Sequence, residues 1–313
     1  MSPATDTVLE VRDLVAGFGP TTVLHGVNLT VPRGQVAGVF GLNGAGKSVT
    51  MKVLAGIVPA RSGTVHMEGV DITATGAEAR VGLGMAHVPQ GRQVFAALTV
   101  EQNLRLGAYL VRRKRRDRYA SLLDDVFDRF PILAERRNQT AGTMSGGQQA
   151  ALAVARALMG DPKLILVDEP SAGLSPLAVE ELFGTLQRVA TTGVTMVLVE
   201  QNVAFGLQVV DTVNVLQVGR VVHTGPVAGL DTEALARYLG IGRLLGAGVA
   251  KSIAGRGPIR KPRKAASAAK KKVAAKAPAK KAATKQTTKK LPAKKKAAGA
   301  KKPAKKATGA KKT

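Results

Sequence analysis

The segment 41–48 constrains this chain more than any other, because it reads Gly-Leu-Asn-Gly-Ala-Gly-Lys-Ser. Glycines at this spacing let backbone N–H groups wrap around phosphates at the N-terminus of a helix. An apolar strand pattern at 35–40 precedes the segment, and a short helical pattern at 48–56 follows it. This context predicts a phosphate-binding loop in which Lys47 reaches the β- and γ-phosphates of a nucleotide and Ser48 ligates Mg²⁺.

A second functional pattern is the acidic pair Asp168 and Glu169, which directly follows the apolar run 164–167. A buried strand that ends there places both carboxylates at its carboxyl end, where α/β proteins bind ligands. We expect Asp168 to bind Mg²⁺, directly or through water, and Glu169 to orient and deprotonate the attacking water. An acidic turn with no catalytic role is the alternative, and the phosphate-binding loop argues against it.

The third pattern is Ser-Gly-Gly-Gln at 145–148, which opens a predicted helix. By itself it predicts a helix N-cap whose backbone N–H groups favour an anion. Between the phosphate-binding loop and the acidic pair, it resembles the signature motif of ATP-binding cassette (ABC) proteins, and the resemblance extends over 8 to about 240. It implies an α/β fold, a P-loop ABC ATPase domain at 1–245. Its parts would be a mixed sheet in a RecA-like core, a small antiparallel β subdomain and a helical subdomain at about 95–158.

Four further segments resemble one subgroup, the ATP-binding subunits of high-affinity branched-chain amino acid importers of the LivF type. They are VPQGR at 88–92, RRNQ at 136–139, DEPS at 168–171 and VEQN at 199–202. The resemblance implies a peripheral protein at the cytoplasmic face of the cell membrane that hydrolyses ATP with Mg²⁺. It also implies a head-to-tail pair with a related cassette subunit, identical or different, under two transmembrane permease subunits served indirectly by an extracytoplasmic substrate-binding protein. Urea and short amides are carried by closely similar subunits and stay open as substrates.

The resemblance also assigns roles to individual residues. Glu169, Gln201 and Gln90 would be catalytic, and Ser48, Gln90 and Asp168 would bind the metal ion. The nucleotide contacts would be Phe18, Gly41, Leu42, Asn43, Gly44, Ala45, Gly46, Lys47, Ser48, Val49, Ser145, Gly146, Gly147 and Gln148. Ser145, Gly146 and Gly147 would serve ATP that is bound mainly to the partner cassette.

Two of these assignments have alternatives. Gln201 stands where many ABC proteins have His, and its neutral amide can hydrogen-bond the γ-phosphate but cannot carry a proton or a charge. The LivF-type subgroup shares this glutamine, so the difference indicates a subgroup rather than an inactive protein. Phe18 stands where family members place an aromatic ring that stacks on adenine, and a position in the core is equally open.

Hydrophobic periodicity and turn residues predict the remaining elements. Thr99 and Gln102 form a capping box where the helical region 99–158 begins, and Ser175-Pro176 begins a later helix. The other predicted elements are a small antiparallel sheet of short β-rich pieces within 8–31, strands at 64–67 and 85–88, a turn at 68–71, parallel strands at 164–167 and 195–199, and a closing hairpin at 212–216 and 221–224 around Gly219.

Charge divides the chain in two, because the net charge of +26 falls almost entirely on residues 251–313. This segment has 24 Lys or Arg and no Asp or Glu, so 246–313 is predicted to be a disordered Lys/Ala/Pro-rich tail that resembles linker-histone extensions. It would bind anionic lipid or nucleic acid by counterion release, or stay solvated without a partner. The tail raises one alternative function, a soluble ABC ATPase that acts on nucleic acid or ribosomes.

Other classes of protein fit the sequence less well. The absence of cysteine excludes disulfides and thiolate metal sites. No apolar run approaches the roughly 18 residues needed to cross a bilayer, so we expect a partner to supply any spanning part. Chromosome-type cassettes insert a long coiled coil before the signature motif, whereas only 97 residues separate Lys47 from Ser145 here. Translation-factor types carry two cassettes, and this sequence has one.

Overall fold

Two β-sheets and the helices packed on them make up residues 6–91 and 93–239, which this computed structural model describes. The strands are β1 Thr7–Phe18, β2 Thr21–Pro32, β3 Val36–Phe40, β4 Ser62–Met67, β5 Val70–Asp71, β6 Met85–Val88, β7 Leu164–Asp168, β8 Met196–Glu200, β9 Thr212–Gln217 and β10 Arg220–Pro226. The helices are α1 Lys47–Leu54, α2 Ala77–Gly82, α3 Val100–Gly107, α4 Tyr109–Lys114, α5 Arg116–Arg129, α6 Pro131–Glu135, α7 Gly146–Leu158, α8 Pro176–Thr191, α9 Val203–Gly206 and α10 Thr232–Leu239.

The larger sheet is mixed, with the strand order β10-β9-β3-β8-β7-β6. Its neighbouring strands run parallel except for the β9–β10 hairpin. The smaller sheet is antiparallel, with the order β2-β1-β4-β5. Together they confirm the predicted α/β fold with a mixed sheet and a small antiparallel sheet.

Strand β8 shows how the larger sheet is covered on both faces. All five of its residues are buried, and alternate side chains belong to two different cores. Met196 and Leu198 pack in the core that contains α7 and α8, whereas Val197 and Val199 pack in the core that contains β1, β2 and α1. A strand buried on both faces must be apolar throughout, which is why this one is a continuous hydrophobic run in the sequence.

Side-chain caps fix the starts of two helices that the sequence marked. The backbone N–H of Gln102 donates to the Thr99 hydroxyl at 3.2 Å, and the backbone N–H of Thr99 donates to the Gln102 side-chain carbonyl at 2.9 Å. This reciprocal pair is the predicted capping box of α3. Ser175 caps α8, with Pro176 as its first residue, as predicted.

The parallel strands β3, β7 and β8 end side by side, and this brings their following loops to one edge of the sheet. Phe40 pairs with Glu200, and Asp168 pairs with Val199. The phosphate-binding loop, the loop with the acidic pair and the loop after β8 therefore begin close together. The carboxyl edge of a parallel sheet is where such folds bind their ligands.

Arg80 of α2 is almost fully buried, at 2% exposure, and its guanidinium binds backbone carbonyls. It donates five hydrogen bonds of 2.6–3.2 Å, to the carbonyl oxygens of Val53, Leu54, Ile72, Thr73 and Thr75. Two of these carbonyls lie at the C-terminal end of α1, where the helix dipole favours a cation. Burial lowers the pKa of Arg80. The side chain thus joins the end of α1 to the segment that leads into α2.

His87 of β6 should make the stability of the fold depend on pH. Its Nε2 is buried with no hydrogen-bond partner among the described residues, and burial, together with the charge of Lys52, lowers its pKa from 6.5 to about 4. Between these values the unfolded chain binds a proton that the folded chain excludes. Stability therefore falls as the pH decreases through this window, by up to about 3 kcal/mol.

Urea unfolding at pH values above and below the window measures this contribution. His87→Gln should remove the His87 contribution to the pH dependence between the two pKa values, because glutamine does not titrate there. Equal pH dependence in the variant and the parent chain would contradict the assignment to His87.

The predicted tail at 246–313 lies outside the described residues, as do 240–245 and Arg92. Within 6–91 and 93–239, no helix combines the length and the apolar character that a bilayer crossing requires.

Candidate functional site

The phosphate-binding loop has the predicted strand-loop-helix context, between β3 and α1. Helix α1 begins at Lys47, and its N-cap Gly46 has a φ of 106°, a backbone conformation that a residue with a side chain rarely adopts. Lys47 is 4% exposed, and its Nζ donates to the carbonyl oxygens of Gly41 at 2.9 Å and Leu42 at 3.1 Å. The ammonium group is therefore held by the loop's own backbone.

A cavity of about 410 Å³ lies against this loop, within the size range of small-molecule sites. It is lined by Val23, Asn43, Gly44, Gly46, Lys47, Ser48, Val49, Gln90, Glu169 and Gln201. The cavity thus brings loop residues together with the three residues that the sequence analysis expected to be catalytic.

Three side chains converge on the carboxylate of Glu169. Gln90 Nε2 donates to Glu169 Oε2 at 2.9 Å, and Gln201 Nε2 donates to the same oxygen at 2.8 Å. Lys47 Nζ lies 3.4 Å from the other oxygen, Oε1. The four residues come from loops that follow β3, β6, β7 and β8, or from the helix after such a loop. Glu169 has a φ of 43°, an uncommon backbone conformation that is often retained at functional sites.

Asp168, the last residue of β7, is 3% exposed, and its Oδ1 is buried with no hydrogen-bond partner in the described part of the chain. Burial and the adjacent Glu169 raise its pKa to about 6, while Lys52, Lys47 and a hydrogen bond from the Ser48 side chain act in the opposite direction. A buried carboxylate oxygen beside a hydroxyl suits a hard cation with oxygen ligands. The described residues hold no group of three or more His, Cys, Asp or Glu that could bind a metal ion by themselves.

The Ser-Gly-Gly-Gln motif forms the start of α7 and does not contribute to the lining of the Lys47 cavity. Ser145 is the N-cap, and its hydroxyl and the side chain of Gln148 form a reciprocal capping box. Gly147 packs against α8, where a Cβ would lie 3.0 Å from the Cβ of Ala178. The helix start is therefore fixed by its own cap and by close packing.

The side of the cavity next to the antiparallel sheet differs from the sequence-based expectation. Val23 of β2 lines the cavity, although its apolar strand pattern gave no signal for a ligand contact. Phe18, at the end of β1, is not among the lining residues; its ring is 50% exposed and lies 5.9 Å from Lys52 Nζ. The structure therefore excludes the core position that the sequence left open for Phe18 and leaves its ring at the surface.

The β9–β10 turn links the two sides of the cavity through Gly219. Its N–H donates to the carbonyl oxygen of Ala45 in the phosphate-binding loop at 2.8 Å, and its carbonyl accepts from the N–H of His25 in β2 at 2.8 Å. The backbone packs so closely here that a Cβ at position 219 would lie 1.8 Å from the carbonyl oxygen of Val23. The φ of 72° also favours glycine.

Comparison with known proteins agrees with this geometry. The family model described as "ABC transporter" matches residues 24–172. The high-affinity branched-chain amino acid transport ATP-binding protein BraG of Pseudomonas aeruginosa is 41% identical over 71% of this chain and 95% of its own length. The probable branched-chain amino acid transport ATP-binding protein LivF of Archaeoglobus fulgidus is 36% identical over 70% of this chain and 92% of its own length.

A solved structure supports the same conclusion at the level of the fold. The ADP conformation of MJ1267, an ATP-binding cassette of an ABC transporter, aligns with a TM-score of 0.63 and 26% identity, covering 80% of this chain and 99% of that one. The order of motifs, the mixed sheet and these similarities agree with one another. The chain belongs to the ABC transporter family, as an ATP-binding and ATP-hydrolysing subunit.

Proposed function

We propose that this chain powers the import of branched-chain amino acids through separate permease subunits, from the cytoplasmic face of the cell membrane. The similarity to BraG carries the proposal, because it extends over 95% of that protein's length at 41% identity. Both BraG and LivF are named as branched-chain amino acid transport proteins. Urea and short amides are the alternative substrates.

ATP hydrolysis would use the residues that meet in the cavity. The β- and γ-phosphates would bind the 41–48 loop, with Lys47 in contact with both. Because Lys47 lies 3.4 Å from Glu169 Oε1, a bound phosphate competes with that carboxylate for the ammonium group. The carboxylate is then free to accept a proton from a water molecule.

The bond changes follow from this arrangement. As Glu169 takes the proton, the water oxygen bonds to the γ-phosphorus, the bond from the γ-phosphorus to the bridging oxygen breaks, and ADP and phosphate are released. The side-chain amides of Gln90 and Gln201 contact the same carboxylate and would orient the water and the γ-phosphate.

Mg²⁺ would be held by Ser48, Asp168 and Gln90. Hydroxyl, carboxylate and amide oxygens are ligands that this cation accepts, and the buried, unpartnered Oδ1 of Asp168 supports the assignment. When bound, Mg²⁺ neutralises the charge that develops on the phosphates.

The start of α7 would serve a second nucleotide. Ser145, Gly146, Gly147 and Gln148 lie at the N-terminus of a thirteen-residue helix, where the helix dipole favours an anion. These residues do not line the Lys47 cavity, so we infer that they contact ATP held by a second cassette subunit in a head-to-tail pair. That subunit is either a copy of this chain or a related one, and the pair would act on two transmembrane permeases.

The base of ATP would lie against the antiparallel sheet. Val23 lines the cavity there, and the exposed ring of Phe18 belongs to the neighbouring strand, where Phe18 pairs with Thr21. An exposed aromatic ring favours stacking, so we keep Phe18 as an adenine contact beside Val23.

The second candidate function rests on charge. Residues 251–313 carry 24 Lys or Arg, a composition that binds anionic lipid or nucleic acid electrostatically. A soluble ABC ATPase that acts on nucleic acid or ribosomes would use this segment as its main contact. In the transporter, the same segment would add to binding at the inner leaflet by about 1 kcal/mol for each well-placed Lys or Arg.

A pull-down of the tagged full chain from its own cells in mild detergent distinguishes the two functions. The transporter predicts two multi-spanning permeases and a cassette subunit that remain bound at high salt, and uptake of labelled leucine, urea or acetamide by the reconstituted complex identifies the substrate. Recovery of ribosomes or DNA at high salt without a permease would overturn the proposal.

A further inference from the structure

Glu200, the last residue of β8, is a carboxylate buried at 1% exposure beside the nucleotide cavity. It accepts four hydrogen bonds from three residues. Ser171 donates from its backbone N–H at 3.0 Å and from its hydroxyl at 2.9 Å. The backbone N–H groups of Gln201 and Asn202 donate at 3.0 and 3.2 Å.

These donors belong to two different loops. Ser171 lies in the loop after β7, two residues beyond Glu169, whereas Gln201 and Asn202 begin the loop after β8. The same two loops also meet through side chains, because Gln201 Nε2 donates to Glu169 Oε2 at 2.8 Å. The Glu200 carboxylate therefore forms a second connection behind the one that lines the cavity.

The Glu200 carboxylate accepts its four hydrogen bonds from neutral donors. Within the described part of the chain, backbone N–H groups and a hydroxyl thus hold this buried carboxylate. Burial raises the pKa of Glu200, and the hydrogen bonds from Ser171, Asn202 and Gln201 oppose that shift. Removing the carboxylate from such a site leaves the buried N–H and hydroxyl donors without acceptors, and this disturbs both loops at once.

We propose that Glu200 is a positioning residue for ATP hydrolysis, which fixes the loop of Glu169 and the backbone of Gln201 at the separation that lets their side chains act on one water molecule. The inference rests on the proposed roles of Glu169 and Gln201 and adds a residue that does not line the cavity. A displacement of catalytic groups by about 1 Å can lower the rate by as much as a hundredfold. A small shift of either loop would therefore be enough to slow hydrolysis.

The test uses Glu200→Gln in the full chain, within the complex that the pull-down recovers. The amide keeps the size of the side chain but points a donor at groups that are themselves donors. We expect kcat for ATP to fall about tenfold, while KM and the affinity for a fluorescent ATP analogue change less than about twofold. The matched control is Glu180→Gln, an exposed glutamate of α8, which should leave every value unchanged.

Two further variants separate positioning from loss of the fold. Ser171→Ala removes one donor and keeps the backbone contact, so it should lower kcat by about two- to threefold with normal thermal unfolding. In a Gln201→Ala background, the effect of Glu200→Gln should shrink below about threefold, because the group that it positions is gone. A stability defect alone would give additive effects.

The outcomes are distinct. A folded Glu200→Gln protein with unchanged kcat would overturn the inference, as would parallel losses of kcat, nucleotide affinity and thermal stability. If Glu200→Gln fails to fold, the test depends on Ser171→Ala instead. An unchanged kcat in that variant would also overturn the inference. Glu169→Gln is measured in parallel, and normal turnover in that protein would mean that the proposed catalytic roles fail rather than the role of Glu200.

Discussion

Glu169→Gln should lower ATP turnover by about 10²–10³-fold and leave nucleotide binding intact. The amide has nearly the shape of the carboxylate, but it cannot accept the proton of the attacking water. The substitution also removes the negative charge that lies 3.4 Å from Lys47 Nζ. Because a phosphate would no longer compete with this charge, ATP should bind as tightly as before or more tightly.

Phosphate release at saturating ATP and Mg²⁺ measures the loss, and a fluorescent ATP analogue measures the affinity. Glu180→Gln makes the same chemical change at an exposed position and should turn over normally. Normal turnover in Glu169→Gln would place the general base elsewhere. A protein that neither binds nor hydrolyses ATP would show that the carboxylate holds the cavity together instead.

Arg80→Met should destabilise the fold by about 3 kcal/mol. Methionine has a similar length and fills the space, but it has no donors for the five carbonyl oxygens that Arg80 binds. The hydrogen bonds to Val53, Leu54 and Ile72 are buried, so these three carbonyls would lose hydrogen bonds without gaining others. Two of them close the end of α1, the helix that begins with Lys47, so ATP affinity should also fall.

Chemical unfolding of the full chain measures the change in stability. Arg12→Met is the control, because the side chain of Arg12 is 64% exposed and forms a surface ion pair with Glu10. Surface pairs of this kind contribute little, so the control should shift stability by less than about 0.5 kcal/mol. Equal effects of the two substitutions would mean that water replaces the guanidinium at the buried carbonyls.

Local patterns account for the parts of the fold that the sequence predicted well. The strand at 85–88 and the capping box of Thr99 and Gln102 depend on residues that are neighbours in the chain. So does the hairpin around Gly219, where glycine takes a positive φ. In such segments hydrophobic period and turn chemistry determine the structure before any long-range contact forms. A short strand was missed, because β5 at Val70–Asp71 pairs with β4 inside the predicted turn.

Several residues named from the sequence line one cavity, but the contacts between them were not predicted. Resemblance singled out Gln90, Glu169 and Gln201, but the hydrogen bonds that join them depend on the order β8-β7-β6 in the sheet. Strand order is a long-range property that no local pattern contains. For this reason, the VEQN segment at 199–202 contains Glu200 but does not indicate its role.

The burial of Arg80 and the position of Val23 in the cavity were also not predicted from the sequence. Arg80 lies in a short helix that reads as polar, and its burial comes from the packing of α2 near the end of α1. Val23 reads as an ordinary strand residue, and only the position of β2 beside the phosphate-binding loop makes it part of the cavity. Both depend on how separate elements pack together in the fold. The hydrophobic periodicity of a single segment does not contain this information.

The Gly219 turn also bears on the proposed binding of ATP. One backbone residue bonds to Ala45 on the phosphate side and to His25 on the side of Val23, so the spacing between the two walls of the cavity is built from main-chain contacts. If the base lies against Val23 as proposed, this side chain can change in evolution to suit a different base while the contacts to the triphosphate stay the same. A change in the main chain at Gly219 alters both properties together. In the proposed binding mode, side-chain changes can therefore separate base preference from phosphate affinity, whereas a change in this turn affects both.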